Sequence, residues 1–405
     1  MRDVVVVGGG PAGLYSAWLL ASRGFDVTVA EEHGTIGQPV HCTGVMAPEA
    51  FREFGLQQDA VLNELRTVRF FSPAGHQFHY TPPAVEAVVI DRARFDQGLY
   101  RKAKQAGVDM HMGRKITQIE INDSHVRVDC DGDAKPILGR ACILSTGASY
   151  ALHRKLDLDL PPLYLNSAQV EVPALRPGDV EIHFGSQIAP QGFAWVVPVN
   201  RGSQWLARLG VMCSTNTDTT FKRFLQSVSK RWELEADADV IPRKRMLPLA
   251  PISKTFGHRL LVVGDAAGLV KPTTGGGIYF SLLTAAIAGK FMAEALAADE
   301  LSASRLAQYE LRWRQQLESE LRIQILLRLV SERLRDEDID QLFELARTEK
   351  LNSLIRSTAR FNRHRDLIRT LFRHPAVGKI LFRQILSSTA LFFRESLNSD
   401  CSGAL

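Results

Sequence analysis

The chain has 405 residues, 45% hydrophobic and 23% charged, which is ordinary for a globular protein and long enough for two or three packed units. Its net charge of +5 does not by itself indicate a nucleic-acid partner. The five cysteines stand singly, without a Cys-x-x-Cys pair, which excludes zinc-ribbon and ferredoxin-type ligand spacing.

The N-terminus predicts a strand, a glycine turn and a helix. Asp3–Val7 is a short β-branched run, as in a strand buried on both faces of a parallel sheet. Gly8, Gly10 and Gly13 follow at the spacing G-x-G-x-x-G. Leu14–Arg23 then predicts a helix of good helix formers, ended by a glycine.

This turn has the chemistry of a dinucleotide site. Gly8 permits the tight turn, Gly10 lets the backbone approach a pyrophosphate, and Gly13 allows close packing of the helix on the strand. The helix N-terminus offers free N–H groups and a positive dipole end to the phosphates. Phe25–Ala30 predicts the second strand, which ends at Glu31, where a carboxylate can accept hydrogen bonds from ribose hydroxyls.

Later segments favour FAD over NAD at this turn. A predicted strand, Arg259–Gly264, runs directly into Asp265, as in two-part FAD folds, where the Asp binds the ribityl or phosphate region. The glycine triplet Gly275–Gly277 leads into a predicted helix from Ile278 and provides bare backbone beside a flavin ring. Between these ends, the strand-like segment Cys142–Gly147 finishes in Ser-Thr-Gly, close to the Ala-Thr-Gly motif of such flavoproteins.

With three further segments, the chain resembles the geranylgeranyl reductase family, within the flavoprotein group that includes aromatic hydroxylases. The resemblance covers nearly the whole chain. Ile36–Gly44 is similar to the family's cysteine loop at the flavin, and Asp91–Asp96 to its R-x-x-F-D segment. Gly192–Pro198 resembles the substrate-domain motif G-Y-x-W-x-F-P, with Phe193 where Tyr is usual and Val197 where Phe is usual.

The resemblance implies an α/β fold with a Rossmann-type FAD-binding domain, an antiparallel-sheet substrate domain and a C-terminal helical region. The implied boundaries are 1–65, 85–155 and 255–300 for the FAD-binding domain, 66–84 and 156–254 for the substrate domain, and 301–405 for the helical region. The strand candidates of the substrate domain are Val68–Tyr80, Asn166–Val172, Asp179–Phe184, Gly192–Val199 and Trp205–Met212.

The resemblance also implies FAD as the cofactor and a set of site residues, without a metal. The implied cofactor-binding residues are Gly8, Gly10, Pro11, Ala12, Gly13, Glu31, Glu32, Cys42, Thr43, Gly44, Arg92, Thr146, Gly147, Gly264, Asp265, Gly275, Gly276, Gly277 and Ile278. The implied substrate-binding residues are Phe193, Trp195 and Pro198.

The activity implied by the family is reduction of isolated carbon–carbon double bonds in a polyprenyl chain of a lipid, quinone or chlorophyll precursor. An isolated alkene is a poor hydride acceptor, so it needs close alignment and a dry apolar pocket. Cys42, His41 and Tyr279 are candidate proton donors, although Cys42 can equally be a small packing residue and His41 a loop histidine with a local hydrogen bond. Because no second G-x-G-x-x-G occurs, the electron donor is either NAD(P)H bound transiently or a ferredoxin.

Residues 302–394 predict successive helices, and from 351 to 394 nine Lys/Arg stand against one acid, Asp366. Such a basic amphipathic region can lie on an anionic membrane surface. It can also be a helical cap with a solvated basic face, or a dimer contact. No recognisable nucleic-acid module accompanies the charge. Without a signal peptide or an uninterrupted apolar run of about 18 residues, we expect a cytoplasmic protein, peripheral on the inner face of the membrane under the first interpretation.

Three other functions compete with the reductase. An FAD-dependent monooxygenase would share the architecture, but Gly192–Pro198 and the glycine triplet favour the reductases. A quinone-linked electron-transfer flavoprotein would carry a cluster domain with four cysteines, which this chain lacks. A flavin-containing protein that binds prenyl lipid without turnover is the alternative of another class.

Overall fold

The computed structural model describes residues 1–132, 135–176, 178–235 and 240–383. Its elements are, in chain order, β1 (Arg2–Val7), α1 (Pro11–Ala21), β2 (Val27–Glu31), β3 (Val45–Met46), α2 (Glu49–Glu53), β4 (Val61–Leu65), β5 (Val68–Phe71), β6 (Gln77–Tyr80), β7 (Ala87–Ile90), α3 (Arg92–Gln105), β8 (Asp109–Met112), β9 (Ile116–Ile121), β10 (Val126–Cys130), β11 (Ile137–Leu144), α4 (Ala151–Lys155), β12 (Tyr164–Pro173), β13 (Val180–His183), β14 (Phe193–Asn200), β15 (Trp205–Cys213), α5 (Thr217–Trp232), β16 (Arg243–Pro248), β17 (Phe256–Gly257), β18 (Leu260–Val262), α6 (Ile278–Ala297), α7 (Ala303–Ser331), α8 (Asp336–Ala346), α9 (Glu349–Thr358) and α10 (Arg365–Arg373). A 3₁₀ turn, Gly264–Ala267, follows β18, and residues 375–383 are helical.

An eight-stranded sheet holds the predicted nucleotide turn. Five of its strands are parallel, in the order β18-β11-β1-β2-β8, while β17 at one end and the β9–β10 extension from β11 pair antiparallel. Strand β1 is buried at 0–3% exposure from Val4 to Val7, as expected for a parallel strand covered on both faces. Helix α1 packs against both α3 and α6.

Helix α6 lies in the core of the molecule. It is the one helix in the described part of the chain that is long and apolar enough to cross a membrane, but 72% of its apolar window is buried inside the molecule. Its neighbours are α1 and α7. The apolar composition of α6 is therefore explained by packing in the protein core.

A seven-stranded sheet forms the second layer, in the order β16-β12-β15-β14-β13-β5-β6. The sheet is antiparallel, as predicted, except that β5 and β13 pair parallel. The β5–β6 hairpin comes from a segment far earlier in the chain and joins the sheet at its edge. Helix α5, which the sequence did not predict, packs on one face of this sheet through Phe221 and Phe224.

Several predicted boundaries differ from the structure. Helix α1 begins at Pro11 rather than Leu14, because proline fits the first turn of a helix, where its missing N–H is not needed. Strand β11 ends at Leu144, before Ser145, whose hydroxyl donates to the carbonyl oxygens of Val7 and Gly8. A three-stranded antiparallel sheet, β3-β7-β4, was not predicted. The domain boundaries themselves stay predictions.

The C-terminal helices dock on both sheets. In α7, the Tyr309 hydroxyl donates to the Val262 carbonyl at 2.9 Å, and Trp313 Nε1 donates to Thr255 Oγ1 at 2.8 Å. Both rings are fully buried, so α7 is anchored beside β18. Helices α8 and α9 place Phe343 and Ile355 against the aromatic side chains of β6. The predicted helical residues 384–394, including Arg394, and Cys401 lie outside the described residues.

Candidate active site

The first glycine turn is shaped by two glycines that admit no side chain. Gly8 has φ +107°, and a Cβ there would lie 2.4 Å from the carbonyl oxygen of Ser145. A Cβ on Gly13 would lie 2.0 Å from the carbonyl oxygen of Gly8. At Gly10, by contrast, a Cβ would meet no atom within 4 Å. The backbone of Gly10 therefore faces open space, as the approach of a pyrophosphate requires.

The N-terminus of α1 lies at this open space. Pro11 occupies its first turn, and no side chain caps it, so the first N–H groups and the positive dipole end are available to a phosphate. Glu31 is held beside the turn, because Oε2 accepts from the Gly9 N–H at 2.6 Å and Oε1 accepts from the His33 N–H at 3.0 Å. Glu32 is exposed and makes no described hydrogen bond.

The two glycine motifs from opposite ends of the chain meet. Gly264 has φ +63°, and a Cβ there would lie 3.1 Å from Ala12 Cβ and 2.9 Å from Ser281 Oγ. The turn after β18 therefore packs directly on the start of α1. The start of α6 is equally close, because a Cβ on Gly277 would lie 2.6 Å from Asp265 Oδ1. Two helix N-termini and one carboxylate thus border a single space.

Asp265 and Arg245 lie together in that space. Burial raises the pKa of the Asp265 carboxyl, and the guanidinium of Arg245 acts in the opposite direction. Arg245 reaches in from β16, and one of its Nη atoms lies 2.7 Å from where a Cβ on Gly147 would be. The neighbouring Thr146 hydroxyl donates to the Ser149 carbonyl at 3.0 Å. The sequence interpretation missed Arg245.

The cysteine loop, residues 36–44, brings a thiol beside a buried guanidinium. The N–H of Gly44 donates to Cys42 Sγ at 3.3 Å. Burial lowers the pKa of Arg92, but its neighbours Asp96 and Cys42 outweigh burial and raise it. The ion pair of Arg92 with Asp96 measures 2.9 Å. Arg92 therefore stays charged next to the Cys42 thiol.

His41 lies in the same loop and is uncharged near neutral pH. Burial lowers the pKa of its imidazole, and the cationic side chains of Arg245 and Arg243 lower it further. Its Nδ1 is buried and has no hydrogen-bond partner among the described residues. A neutral imidazole is a weaker proton donor than a cationic one, so His41 fits a proton acceptor better than a donor.

Tyr279 is not brought together with the other two candidate proton donors. Its hydroxyl donates to the Glu53 carboxylate at 2.8 and 3.0 Å, and its ring lies 5.4 Å from that of Phe54. Burial and then Glu53 raise the pKa of Tyr279 to about 12. Among the described residues, the hydrogen bonds and ring contacts of Tyr279 are to Glu53, Arg363, Phe54 and Phe280, and none of them is to Cys42 or His41.

The cysteine loop is fastened to the seven-stranded sheet. The Thr43 hydroxyl donates to Gln169 Oε1 at 2.9 Å. Arg208, only 4% exposed, donates through Nη1 to the Thr43 carbonyl at 2.7 Å and through Nε to Glu171 at 2.5 Å. Neither Arg208 nor Glu171 was predicted. The available signal was a charged residue inside the apolar strand WLARLGVMC, since a buried charge needs a partner.

A row of aromatic rings crosses the same face of this sheet. The Trp195 ring lies over Gly210, where a Cβ would be 2.2 Å from the ring. Gly210 pairs with Gln169, which binds Thr43, so the row begins next to the cysteine loop. The consecutive ring centroids are 5.8 to 6.5 Å apart in the order Trp195, Phe193, Phe184, Phe70 and Phe78.

The aromatic row borders the glycine triplet on one side. A Cβ on Gly275 would lie 2.9 Å from Leu247 Cδ1 and 3.4 Å from Met212 Sδ, and both of these residues pack in the cluster that contains Trp195. Pro198 is buried on the same strand as Trp195, and its carbonyl accepts from Asn63 Nδ2 at 3.3 Å. The structure therefore places Phe193 and Trp195 in the row and Pro198 at the contact with β4.

Beneath the glycine triplet lies a buried lysine. Lys271 is 4% exposed, and its Nζ donates to the Phe361 carbonyl at 2.9 Å and lies 4.0 Å from the Phe361 ring centroid. Burial lowers its pKa to about 7, and the carboxylates of Glu320 and Glu49 offset this only in part. A Cβ on Gly276 would lie 2.8 Å from Lys271 Cε, so the lysine supports the triplet from below.

Replacing this lysine is expected to change how stability depends on pH. Between pH 7 and about 10 the unfolded chain holds a proton on Lys271 that the folded protein has released, so the stability of the wild type rises with pH through this window. Lys271→Met removes the effect. The free energy of unfolding of the variant minus that of the wild type should therefore be largest below pH 7 and shrink towards pH 10.

Urea unfolding at pH 6, 8 and 9.5 measures this difference. The matched control is Lys290→Met, which removes an exposed lysine from α6. For the control, we expect a difference in the free energy of unfolding that does not vary with pH. The same result for Lys271→Met would contradict the lowered pKa of Lys271.

Together, a dinucleotide turn, a second glycine turn that carries Asp265, and bare backbone at two helix N-termini fit FAD, and the fold and site define an FAD-dependent oxidoreductase. Residues 2–161 match the family model described as pyridine nucleotide-disulphide oxidoreductase. Curated relatives match most of the chain. A digeranylgeranylglycerophospholipid reductase of Methanothermobacter thermautotrophicus is 30% identical over 95% of this chain and 99% of its own length. Another such reductase, from Methanopyrus kandleri, is 30% identical over 88% of this chain and 97% of its own length.

Solved structures agree in fold. The crystal structure of a geranylgeranyl bacteriochlorophyll reductase-like protein from Thermoplasma acidophilum matches with a TM-score of 0.81, at 20% identity over 95% of this chain and 99% of that one. The structure of a flavin-dependent brominase matches less closely, with a TM-score of 0.68 at 15% identity over 97% of this chain and 99% of that one. The chain belongs to the geranylgeranyl reductase family of FAD-dependent oxidoreductases.

Proposed function

We propose that this protein saturates carbon–carbon double bonds in the geranylgeranyl chain of a lipid. The observation that carries the proposal is the row of aromatic rings that starts beside the cysteine loop, because such a row offers an apolar path to a polyprenyl chain. The relatives that match over the whole chain are named for reduction of a lipid that bears two geranylgeranyl groups, which supports this substrate class.

FAD, when bound and reduced, supplies the hydride for the alkene. The protein contributes binding and orientation. The backbone at Gly10 and the N-terminus of α1 would hold the pyrophosphate, and Glu31 would accept hydrogen bonds from the ribose. The start of α6 and the side chains of Asp265 and Arg245 border the rest of the site. The rings of Trp195 and Phe193 align the apolar chain and exclude water, which an unactivated alkene requires.

The second hydrogen of the saturated bond must arrive as a proton, and Cys42 is the proposed donor. Its sulfur accepts from the Gly44 N–H at 3.3 Å and lies beside the guanidinium of Arg92, so an N–H group and a cation face the atom that gives up the proton. Tyr279, whose hydroxyl is held by Glu53, is less suitable. We expect Cys42→Ala to lower turnover by about a hundredfold, the lower end of the range for loss of a general acid, with FAD binding unchanged.

Single-turnover measurement of product formation tests this prediction, with Cys213→Ala as the matched control. Cys213 is a free, buried cysteine on the opposite face of the seven-stranded sheet, packed with α5. Turnover of Cys42→Ala equal to that of Cys213→Ala would remove Cys42 from the mechanism.

The source of electrons is proposed to be NAD(P)H or a ferredoxin, and each is to be supplied to the oxidised protein in a separate anaerobic assay.

We further propose a cytoplasmic protein that contacts the inner face of the membrane through its basic C-terminal helices. In α10, Ile368 is buried while Arg369 and Arg373 are exposed, a distribution that supports contact with an anionic surface. Co-sedimentation with vesicles of anionic and of neutral phospholipid tests this contact.

The decisive experiment is anaerobic incubation of the dithionite-reduced holoenzyme with a panel of prenylated lipids. The expected product has gained two hydrogens for each saturated bond, read by mass spectrometry. Substrates that return unchanged would reject the reductase and favour a binding protein. In an aerobic control, substrate-stimulated oxygen consumption with a hydroxylated product would instead indicate a monooxygenase.

A further inference from the structure

Tyr80 stands at the far end of the aromatic row and has an unpaired hydroxyl. It lies two residues after Phe78 on the edge strand β6, and the two side chains point to the same face. The residue is 9% exposed, yet its hydroxyl oxygen is buried without a hydrogen-bond partner in the described part of the structure. A buried hydroxyl without a partner is unfavourable, so this position points to a ligand atom that the hydroxyl can bind.

Helix α9 covers this end of the row. Ile355 and Ala359 pack in the same cluster as Tyr80 and Phe78. The residues that follow each of them in the sequence are Arg356 and Arg360, and both are exposed. Ile355 of α9 and Ala359, which follows the helix, therefore pack against the aromatic row, and the exposed Arg356 and Arg360 come directly after them in the chain.

The charges that face the Tyr80 hydroxyl are two arginines and one acid. Burial raises the pKa of Tyr80, Glu86 raises it further, and Arg360 and Arg356 lower it. Glu86 itself is partly buried, and burial raises the pKa of its carboxyl. With two guanidinium groups against one carboxyl, this end of the row favours an anion.

We propose that Tyr80, Arg356 and Arg360 form a binding site for the phosphate of a prenyl lipid. The inference rests on the proposed function and adds the position of the head group. A phosphate oxygen can accept from the Tyr80 hydroxyl, and guanidinium groups bind phosphate through paired N–H donors. The aromatic row then leads the prenyl chain from this site to the cysteine loop, so that bonds remote from the head group meet the reacting centre.

The site makes a prediction about substrate selectivity. The double variant R356Q/R360Q and the single variant Y80F are expected to raise KM about tenfold for geranylgeranyl phospholipid and for geranylgeranyl diphosphate, in detergent micelles. For the uncharged alcohol geranylgeraniol, KM should stay within twofold of the wild type. The turnover number should change little for any of the three, because these residues lie far from the reacting centre. A rise for the phospholipid alone would also support the site and would identify a lipid head group as its ligand.

A matched variant distinguishes phosphate binding at this site from a general attraction of the basic helices to anionic surfaces. R369Q/R373Q removes the same charge from α10, where Arg369 and Arg373 are exposed and make no described contact with the aromatic row. Vesicle co-sedimentation should weaken in both double variants, whereas phosphate selectivity should change only in R356Q/R360Q and Y80F. Equal KM changes in the two double variants, or an equal change for the alcohol, would overturn the site.

Failure of this site and failure of the reductase are distinguishable. The same lipids are titrated into the oxidised holoenzyme, and dissociation constants are taken from the perturbation of the flavin absorbance, which needs no turnover. If the wild type reduces none of the substrates but the variants lose affinity only for the phosphate-bearing ones, the proposed function fails and the site stands. If the wild type reduces prenyl lipids but the variants bind all of them normally, only the site fails.

Discussion

The Gly10→Ala variant is expected to fold as stably as the wild type and yet to bind FAD roughly a hundredfold more weakly. This corresponds to a loss of about 2.7 kcal/mol of binding free energy. The reason is that a Cβ at Gly10 meets no atom within 4 Å in the protein itself, and φ is −77°, so the methyl group causes no strain. It would instead occupy the space through which the pyrophosphate reaches the backbone. Fluorescence titration of apoprotein with FAD, together with thermal unfolding without FAD, measures both effects.

Two further glycine variants serve as controls for this prediction, one without an expected effect and one with an expected loss of stability. Gly34, on exposed backbone after β2, also has no atom within 4 Å of a Cβ, and Gly34→Ala should bind FAD normally. Gly13→Ala places a Cβ 2.0 Å from the Gly8 carbonyl oxygen and should lose stability even without FAD. Normal FAD affinity in Gly10→Ala would show that the cofactor does not approach this turn, and the site would have to be reconsidered.

Arg208→Met is expected to lower the free energy of unfolding by about 3 kcal/mol, because Glu171 keeps only the more exposed Arg201 and two carbonyls lose a buried donor. The same change frees the Thr43 and Ile90 carbonyls to which Arg208 donates. The cysteine loop should then open more often, so the Cys42 thiol should react faster with a disulfide reagent. Urea unfolding and the rate of thiol modification, corrected with a Cys42→Ala background, measure the two effects.

The matched control for Arg208 is Arg201→Met. Arg201 also pairs with Glu171 and, in addition, with Asp91, but its side chain is 37% exposed and makes no described contact with the cysteine loop. We expect at most about 1 kcal/mol of destabilisation for this more exposed pair, and an unchanged Cys42 rate. Thiol rates that rise equally in both variants would mean that Arg208 does not position the loop.

The glycine turns and the elements next to them could be predicted from the sequence. The spacing of Gly8, Gly10 and Gly13 and the pair Gly264-Asp265 were predicted with their elements, since a missing Cβ or a positive φ is a requirement of the residue itself. The helix that begins at Ile278 was predicted for the same reason and is confirmed. The family, the α/β fold class and the FAD cofactor followed from these motifs and are supported by the relatives.

What joins these motifs was decided by the tertiary structure. Arg208, Glu171 and Arg245 enter the site because strands distant in the chain pair in one register, and no spacing along the sequence encodes that register. The same holds for Tyr279, whose hydroxyl binds Glu53 rather than facing the cysteine loop.

By itself, the sequence predicted two glycine turns with the backbone chemistry of a dinucleotide site, because each turn is a short-range steric condition written in consecutive residues. Only the tertiary structure decided that an aromatic row runs from the cysteine loop to Tyr80 under helix α9. Its members come from β5, β6, β14 and the residue after β13, and they become neighbours only through strand pairing and through docking of the C-terminal helices, which depend on the whole folded chain.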